Sequence, residues 1–397
     1  MRGAFALFLF LAVGPTVSAQ DYWTRPLAPQ GKGPAEWSDI EASLDPRSCG
    51  ACHPEKLADW RNSLHASAFS PGLVGQLLTY SRDDAQACMD CHAPLAEQMT
   101  DFIKARRRGR GHVPQSQGLA AAGNSCAGCH ARNHRFFGPP RNDDGTDTDR
   151  DIDRPAHGGG TRTEAFERSE FCGACHQFAA DQAVNGKPLE NTIEEWRASP
   201  QAAAGQTCQS CHMPDRRHLW RGIHDPDTVA RGLTPKVSTS SGQIVFTVTN
   251  TGVGHAFPTY VTPKVVMRAV FLNERGQPRP RSGASHVIQR LVVPAGSDWR
   301  EVSDSRLFPG QTAELRLSWG GERHARLWLE VMPDEFYHRE TYRQLLKQLR
   351  PGSRPYQLIA RADALTRTRN FRLFQVEVDR EATAHGRQGS ARREPAR

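Results

Sequence analysis

Apolar and polar positions alternate with a period of two in the C-terminal part of this chain, and that order is almost absent from its middle. Gln243-Ile-Val-Phe-Thr-Val-Thr-Asn250 alternates, and so do 264–272, 287–293, 313–317 and 325–331. This periodicity predicts half-buried strands, and several such runs in succession predict an antiparallel sandwich. Phe336 to Leu349 reads as one helix, and Tyr356 to Ala362 and Phe371 to Val378 as two further strands. Residues 45 to about 228 carry only brief apolar runs, which predict short helices and long loops. The expected fold class is α+β: a mainly helical and loop domain followed by an antiparallel β-sandwich-like domain over 234–379.

The ends of the chain read differently. Arg2 precedes a short apolar run, Ala4 to Val13, and Val17-Ser18-Ala19 is a small-residue cleavage site. Residues 1–19 are therefore expected to be a signal peptide, too short to span a bilayer, and no later run is long enough to do so. The expected location is periplasmic or extracellular, with no integral membrane segment after signal removal. Residues 20–44 form a Pro- and Gly-rich lead-in, and the polar tail 380–397 is expected to be disordered.

Composition adds a puzzle. Only 38% of the 397 residues are hydrophobic and 8% aromatic, lean for a chain of this length. The cysteines suggest what else fills the interior. All ten fall in five copies of C-x-x-C-H: Cys49/Cys52-His53, Cys88/Cys91-His92, Cys126/Cys129-His130, Cys172/Cys175-His176 and Cys208/Cys211-His212. A shuffled chain of this composition would give about 0.01 copies. Two thiols at this spacing can add to the two vinyl groups of a haem, and the next histidine then reaches the iron. Zinc sites and thioredoxin-like redox sites leave the five histidines unexplained. Motif starts at 49, 88, 126, 172 and 208 put five haems c within about 180 residues, close enough for neighbouring porphyrins nearly to touch. Each ring is a large buried plate that replaces apolar side chains. Haem propionates also offset much of the formal charge of +8, so the basic balance does not imply nucleic-acid binding.

Electron-transfer haems take a second axial ligand. Sixteen histidines less five in the motifs leave eleven. The best placed are His65, in a helical pattern after the first motif; His157, beside Gly158 to Gly160; His218 and His224, just past the last motif; and His255, between Gly254 and Pro258 in the β region. His112 and His134 are weaker candidates, and His286, His324, His338 and His385 look structural or solvent-facing. Trp60-Arg-Asn-Ser63 recurs as Trp196-Arg-Ala-Ser199, but where the first copy has His65 the second has Gln201. That difference leaves one haem open or calls for another histidine. The aspartate-rich stretch 141–153 fails the EF-hand pattern and reads as a solvated loop.

The motif spacing, Trp60-x-x-Ser63-x-His65, His157-Gly-Gly, Ser169-Glu-Phe-Cys172 and Cys211-His212-Met-Pro214 resemble the multihaem cytochromes of the c-552/c-554 type over roughly 45–260. The resemblance implies a periplasmic electron carrier with stacked, mostly bis-histidine haems, and Gly254-His255-Ala-Phe-Pro258 resembles a distal-ligand segment of related proteins. The β domain and the fifth haem are departures from the tetrahaem type. The expected function is electron transfer to redox partner proteins. The alternative is an oxidoreductase acting on a small nitrogen compound at one five-coordinate haem. The pentahaem nitrite reductases share the haem count, but they use a C-x-x-C-K site that this chain lacks. In either case the β domain can act as a docking module.

Overall fold

The structure is a computed structural model describing residues 22–107, 118–141, 156–296 and 298–381. The expected signal peptide, His112, most of the aspartate-rich stretch, His385 and nearly all of the tail lie outside the described residues. No helix among the described residues is long and apolar enough to cross a membrane.

The motif region is built of short helices, as its broken pattern predicts. They include α1 (Pro54–Arg61), α2 (Pro71–Leu77), α3 (Arg82–His92), α4 (Ala96–Arg107) and α5 (Thr192–Arg197). Side-chain caps start several of them: Ser70 Oγ accepts from Leu73 N–H, and Ser81 Oγ from Asp84 N–H. α1 stops at Asn62, so His65 stands in the turn beyond the helix, not within it as the pattern suggested. The apolar clusters here are small. One joins Phe69, Val74, Leu77, Met89 and Phe102; another joins Leu27, Leu95, Ala127 and Ala131.

From Leu233 the chain forms two facing antiparallel sheets. The strands are β1 (Leu233–Thr239), β2 (Gln243–Asn250), β3 (Lys264–Leu272), β4 (Pro278–Ile288), β5 (Arg290–Ala295), β6 (Asp298–Asp304), β7 (Thr312–Ser318), β8 (His324–Met332) and β9 (Phe371–Asp379). One sheet runs β7-β2-β1 and the other β9-β8-β3-β4, with β5-β6 as a separate ribbon. Alternate residues Ile244, Phe246 and Val248 of β2 meet Val265, Met267 and Ala269 of β3 and Leu327 and Leu329 of β8 in one continuous core.

Two sequence expectations fail here. Val287 to Val293 is not one strand: it breaks at Gln289, because β4 pairs with β3 while β5 turns away to pair with β6. Buried Arg290 marks the break, bonding Glu301 and the carbonyls of Val184, Lys187 and Pro188. Tyr356 to Ala362 is not a strand but part of helix α6 (Arg354–Thr368). Ser353 caps that helix, and its buried positions Leu358, Ile359, Ala362 and Thr366 recur at helical spacing. α6 crosses α2 closely: a Cβ added at Gly75 would lie 2.7 Å from Ile359 Cδ1. Phe336 to Leu349 is helical, with a π turn over Tyr337–Tyr342 before Arg343–Gln348.

Candidate functional site

All five motifs lie in the motif region on or beside short helical turns, among them Cys126–His130, Glu170–His176 and Cys208–His212. Such a turn puts both cysteines of a motif on one side, with the histidine following. The thiols also approach one another between motifs. Cys49 lies beside Cys126, Cys91 beside Cys175, and Cys172 beside Cys208. Cys129 lies within electrostatic reach of Cys172. The first motif is therefore beside the third, and the fourth adjoins the second, third and fifth. Arg25 bridges two of them, donating to Cys91 Sγ and Cys175 Sγ at 3.0 Å each.

Cys52 sits differently from most of the motif cysteines. It is exposed, as is Cys211, whereas the other eight motif cysteines are half-buried. The reason at Cys52 is local. The helical turn Pro46–Cys49 ends at Gly50, and α1 does not begin until Pro54. Cys52 thus stands in the open turn between two helices, while Cys49, at the end of the first, faces Cys126. The first motif is enclosed on its Cys49 side and open to solvent on its Cys52 side.

Hydrogen bonding identifies which ring nitrogen of each histidine is free. A carbonyl can only accept, so an imidazole nitrogen bonded to one carries the proton, and the other nitrogen presents a lone pair. Nδ1 of His92 donates to Ala68 O, that of His130 to Phe137 O and that of His212 to Arg221 O. Nδ1 of His218 donates to Arg216 O, that of His255 to Ala256 O and that of His157 to Gly159 O. All six keep Nε2 free to ligate. His176 Nδ1 bonds instead to the carboxylate of Glu190, at 2.9 Å. His224 and His134 spend Nε2, on Asp334 Oδ1 at 3.0 Å and Gly31 O at 3.1 Å.

Three histidine pairs then face one another. Ring centroids of His212 and His255 are 6.4 Å apart with 13° between planes. Those of His130 and His218 are 6.2 Å apart at 31°, and those of His65 and His176 are 6.4 Å apart at 35°. A metal–nitrogen bond of about 2.0 Å plus about 1.1 Å from nitrogen to ring centre, on each side, gives a separation of about 6.2 Å. The spacing thus suits one metal atom between each pair, and the donor set fits haem iron. Burial keeps these rings neutral, the form a ligand needs: it pushes His65 down to about 3 and His218 and His255 to about 4. Burial also opposes charge on His176, but Glu190 overrides it and pushes that imidazole up to about 9.

The other candidates stand apart from these pairs. His157 packs against Phe136 and Trp37, and His224 is tied to Asp334. Among the described residues, none of the ring pairs includes His92. Sequence reasoning missed Glu190, because a lone glutamate in a hairpin carries no motif.

His255 reaches its partner from the β region. Asn250 Nδ2 donates to His255 O, Glu195 Oε2 accepts from Ala256 N–H, and Phe257 and Leu307 bond each other's backbones. Glu195 Oε1 pairs with Arg306 at 2.9 Å, with 3% and 1% of the two side chains exposed. A Cβ at Gly254 would lie 3.1 Å from Gln201 Cβ. The loop carrying His255 therefore lies against Gln201, the position where the second Trp-Arg repeat lacks a histidine.

Residues 48–113 match the family described as cytochrome c554 and c-prime. The fold is similar to that of a penta-heme cytochrome c552 from Thermochromatium tepidum, with TM-score 0.54 and 18% identity over 80% of this chain and 97% of that one. No curated protein matches the sequence. The chain therefore has an α+β fold similar to that of this penta-heme cytochrome.

Proposed function

We propose that this chain is a multihaem c-type cytochrome that binds five haems c through Cys49/Cys52, Cys88/Cys91, Cys126/Cys129, Cys172/Cys175 and Cys208/Cys211, and carries electrons among them outside the cytoplasm. The five motif histidines serve as proximal ligands. His65 is the distal ligand opposite His176, His218 opposite His130, and His255 opposite His212. The observation that carries this reading is the set of three facing imidazole pairs, two of them with hydrogen bonding that commits both Nδ1 atoms, each spaced for one iron.

Bound haem supplies an iron that cycles between ferrous and ferric states. The chain contributes placement. Its thiol contacts order the attachment sites as first, third and fourth, with the second and fifth branching from the fourth. Carbonyl and carboxylate acceptors hold the rings in one tautomer, and burial keeps the distal set unprotonated at neutral pH. Electrons enter at one exposed haem and leave to a redox partner protein.

Mass spectrometry of the mature holoprotein should give a polypeptide beginning after Ala19 and heavier by five porphyrins. A bare polypeptide, or one with Cys49 bonded to Cys126, overturns the reading. In the His255→Ala holoprotein, ferric EPR should show one more high-spin iron than the parent; an unchanged spectrum removes His255 from the ligand set.

The alternative, a haem that takes a small nitrogen compound at an open position, is separated from this reading by ligand binding. Cyanide or nitric oxide binding to one of five irons supports the alternative, and a wholly low-spin ferric protein overturns it.

A further inference from the structure

Of the four motif histidines whose Nδ1 partner is seen, three donate to neutral backbone carbonyls and one does not. His176 meets the Glu190 carboxylate, which lies 2.9 Å away with 13% of its side chain exposed. The contact is built into the fold. Glu190 follows the short hairpin 183–188, Phe178 N–H donates to its carbonyl, and a bridge between Gln177 and Asn191 ties the segment to the end of the helical turn that carries His176. The acid thus stands at one fixed place beside the ring.

A hydrogen bond to a charged acceptor is roughly twice as strong as one to a neutral acceptor. It draws the Nδ1 proton toward the carboxylate and leaves more electron density at Nε2, so the ligand becomes more basic. A more basic axial ligand stabilises ferric iron over ferrous iron. We propose that Glu190 is a tuning residue that holds the reduction potential of the fourth haem below the value a carbonyl partner would give. This inference rests on the haem reading of the motifs. It concerns the junction of the path, since the fourth attachment site adjoins the second, third and fifth. A depressed junction passes an electron on to a branch instead of holding it. Arg25 touches the sulfurs of the second and fourth sites equally, so it does not separate their potentials; Glu190 does.

The test is Glu190→Gln in the five-haem protein, followed by redox titration with optical and EPR detection. Glutamine keeps an acceptor for Nδ1 and removes the charge. One midpoint should rise by at least a tenfold change in that haem's oxidised-to-reduced ratio, about 59 mV for one electron. The other four midpoints and the count of low-spin irons should stay as in the parent. Five unmoved midpoints overturn the proposal. Porphyrin mass and spin count report separately on the haem reading, so the two can fail independently. If the glutamine variant does not load five haems, Glu190→Asp keeps the charge but withdraws it from Nδ1. An upward shift of one midpoint then supports the proposal, and no shift overturns it.

Discussion

The two halves of this molecule solve the problem of an interior in opposite ways. The β region buries twenty residues in one continuous apolar core, from Val229 to Val378. The motif region, though longer, has among its described residues clusters of ten and four, and the larger one borrows Leu358 from α6. Marginal stability requires enough buried apolar area to offset chain entropy. The β region meets that need with side chains. The motif region does so only if something else fills it, and the proposed haems would be that material. The comparison teaches that one half should fold as sequence and the other as a sequence–cofactor complex.

The largest expected effect follows directly. Replacing Cys126 and Cys129 with Ala, so that the central third site cannot attach its haem, should make 45–228 protease-sensitive while 234–379 stays resistant. Limited proteolysis of the full chain with mass-spectrometric mapping reads both halves at once, and equal loss in both would erase the contrast. Next, Phe246→Ala removes a fully buried ring from the β core and should cost about 3–5 kcal/mol in thermal or denaturant unfolding. The count of low-spin irons should not move, because that core includes no motif cysteine and no paired histidine.

A third variant probes the seam between the halves. Arg306→Met strands the buried carboxylate of Glu195, for which a cost of about 3 kcal/mol is expected. The value sits at the low end because Lys187 still neutralises Asp304, at 2.8 Å. Since Glu195 also holds the Ala256 amide, one iron should turn partly high-spin in ferric EPR. Stability loss with no spectral change would mean that His255 is positioned by Asn250 alone. The smallest effect is at α6: Ser353→Ala removes the N-cap and should cost about 1 kcal/mol, visible in the melting of the whole chain. A larger loss would show that the motif region leans on α6 more than its one crossing at Gly72 and Gly75 suggests.

Much of this was legible in the chain. Period-two alternation located β2, β3, β7 and β8, since a strand with one face on a core must alternate. It misread 356–362, because seven residues are too few to separate periods of 2 and 3.6 when the cap and the partner helix lie outside the window. The attachment sites rest on a local pattern: two thiols and an imidazole must reach one planar group, so their spacing along the chain is their geometry. That pattern is the same at Cys52 as at Cys129, so it could not tell the exposed thiol from the enclosed one. The facing histidines could only be narrowed. His224 matched His218 in sequence context, and the fold separated them by giving one its Nε2 and spending the other's on Asp334.

The sequence by itself determined the alternating strands and the five C-x-x-C-H motifs, because both depend on residues a few positions apart. Tertiary structure alone decided which imidazoles face each other, which acid stands behind His176 and which loop supplies His255. Those contacts join residues 14 to 111 positions apart, and nothing in a local pattern encodes a distance across space.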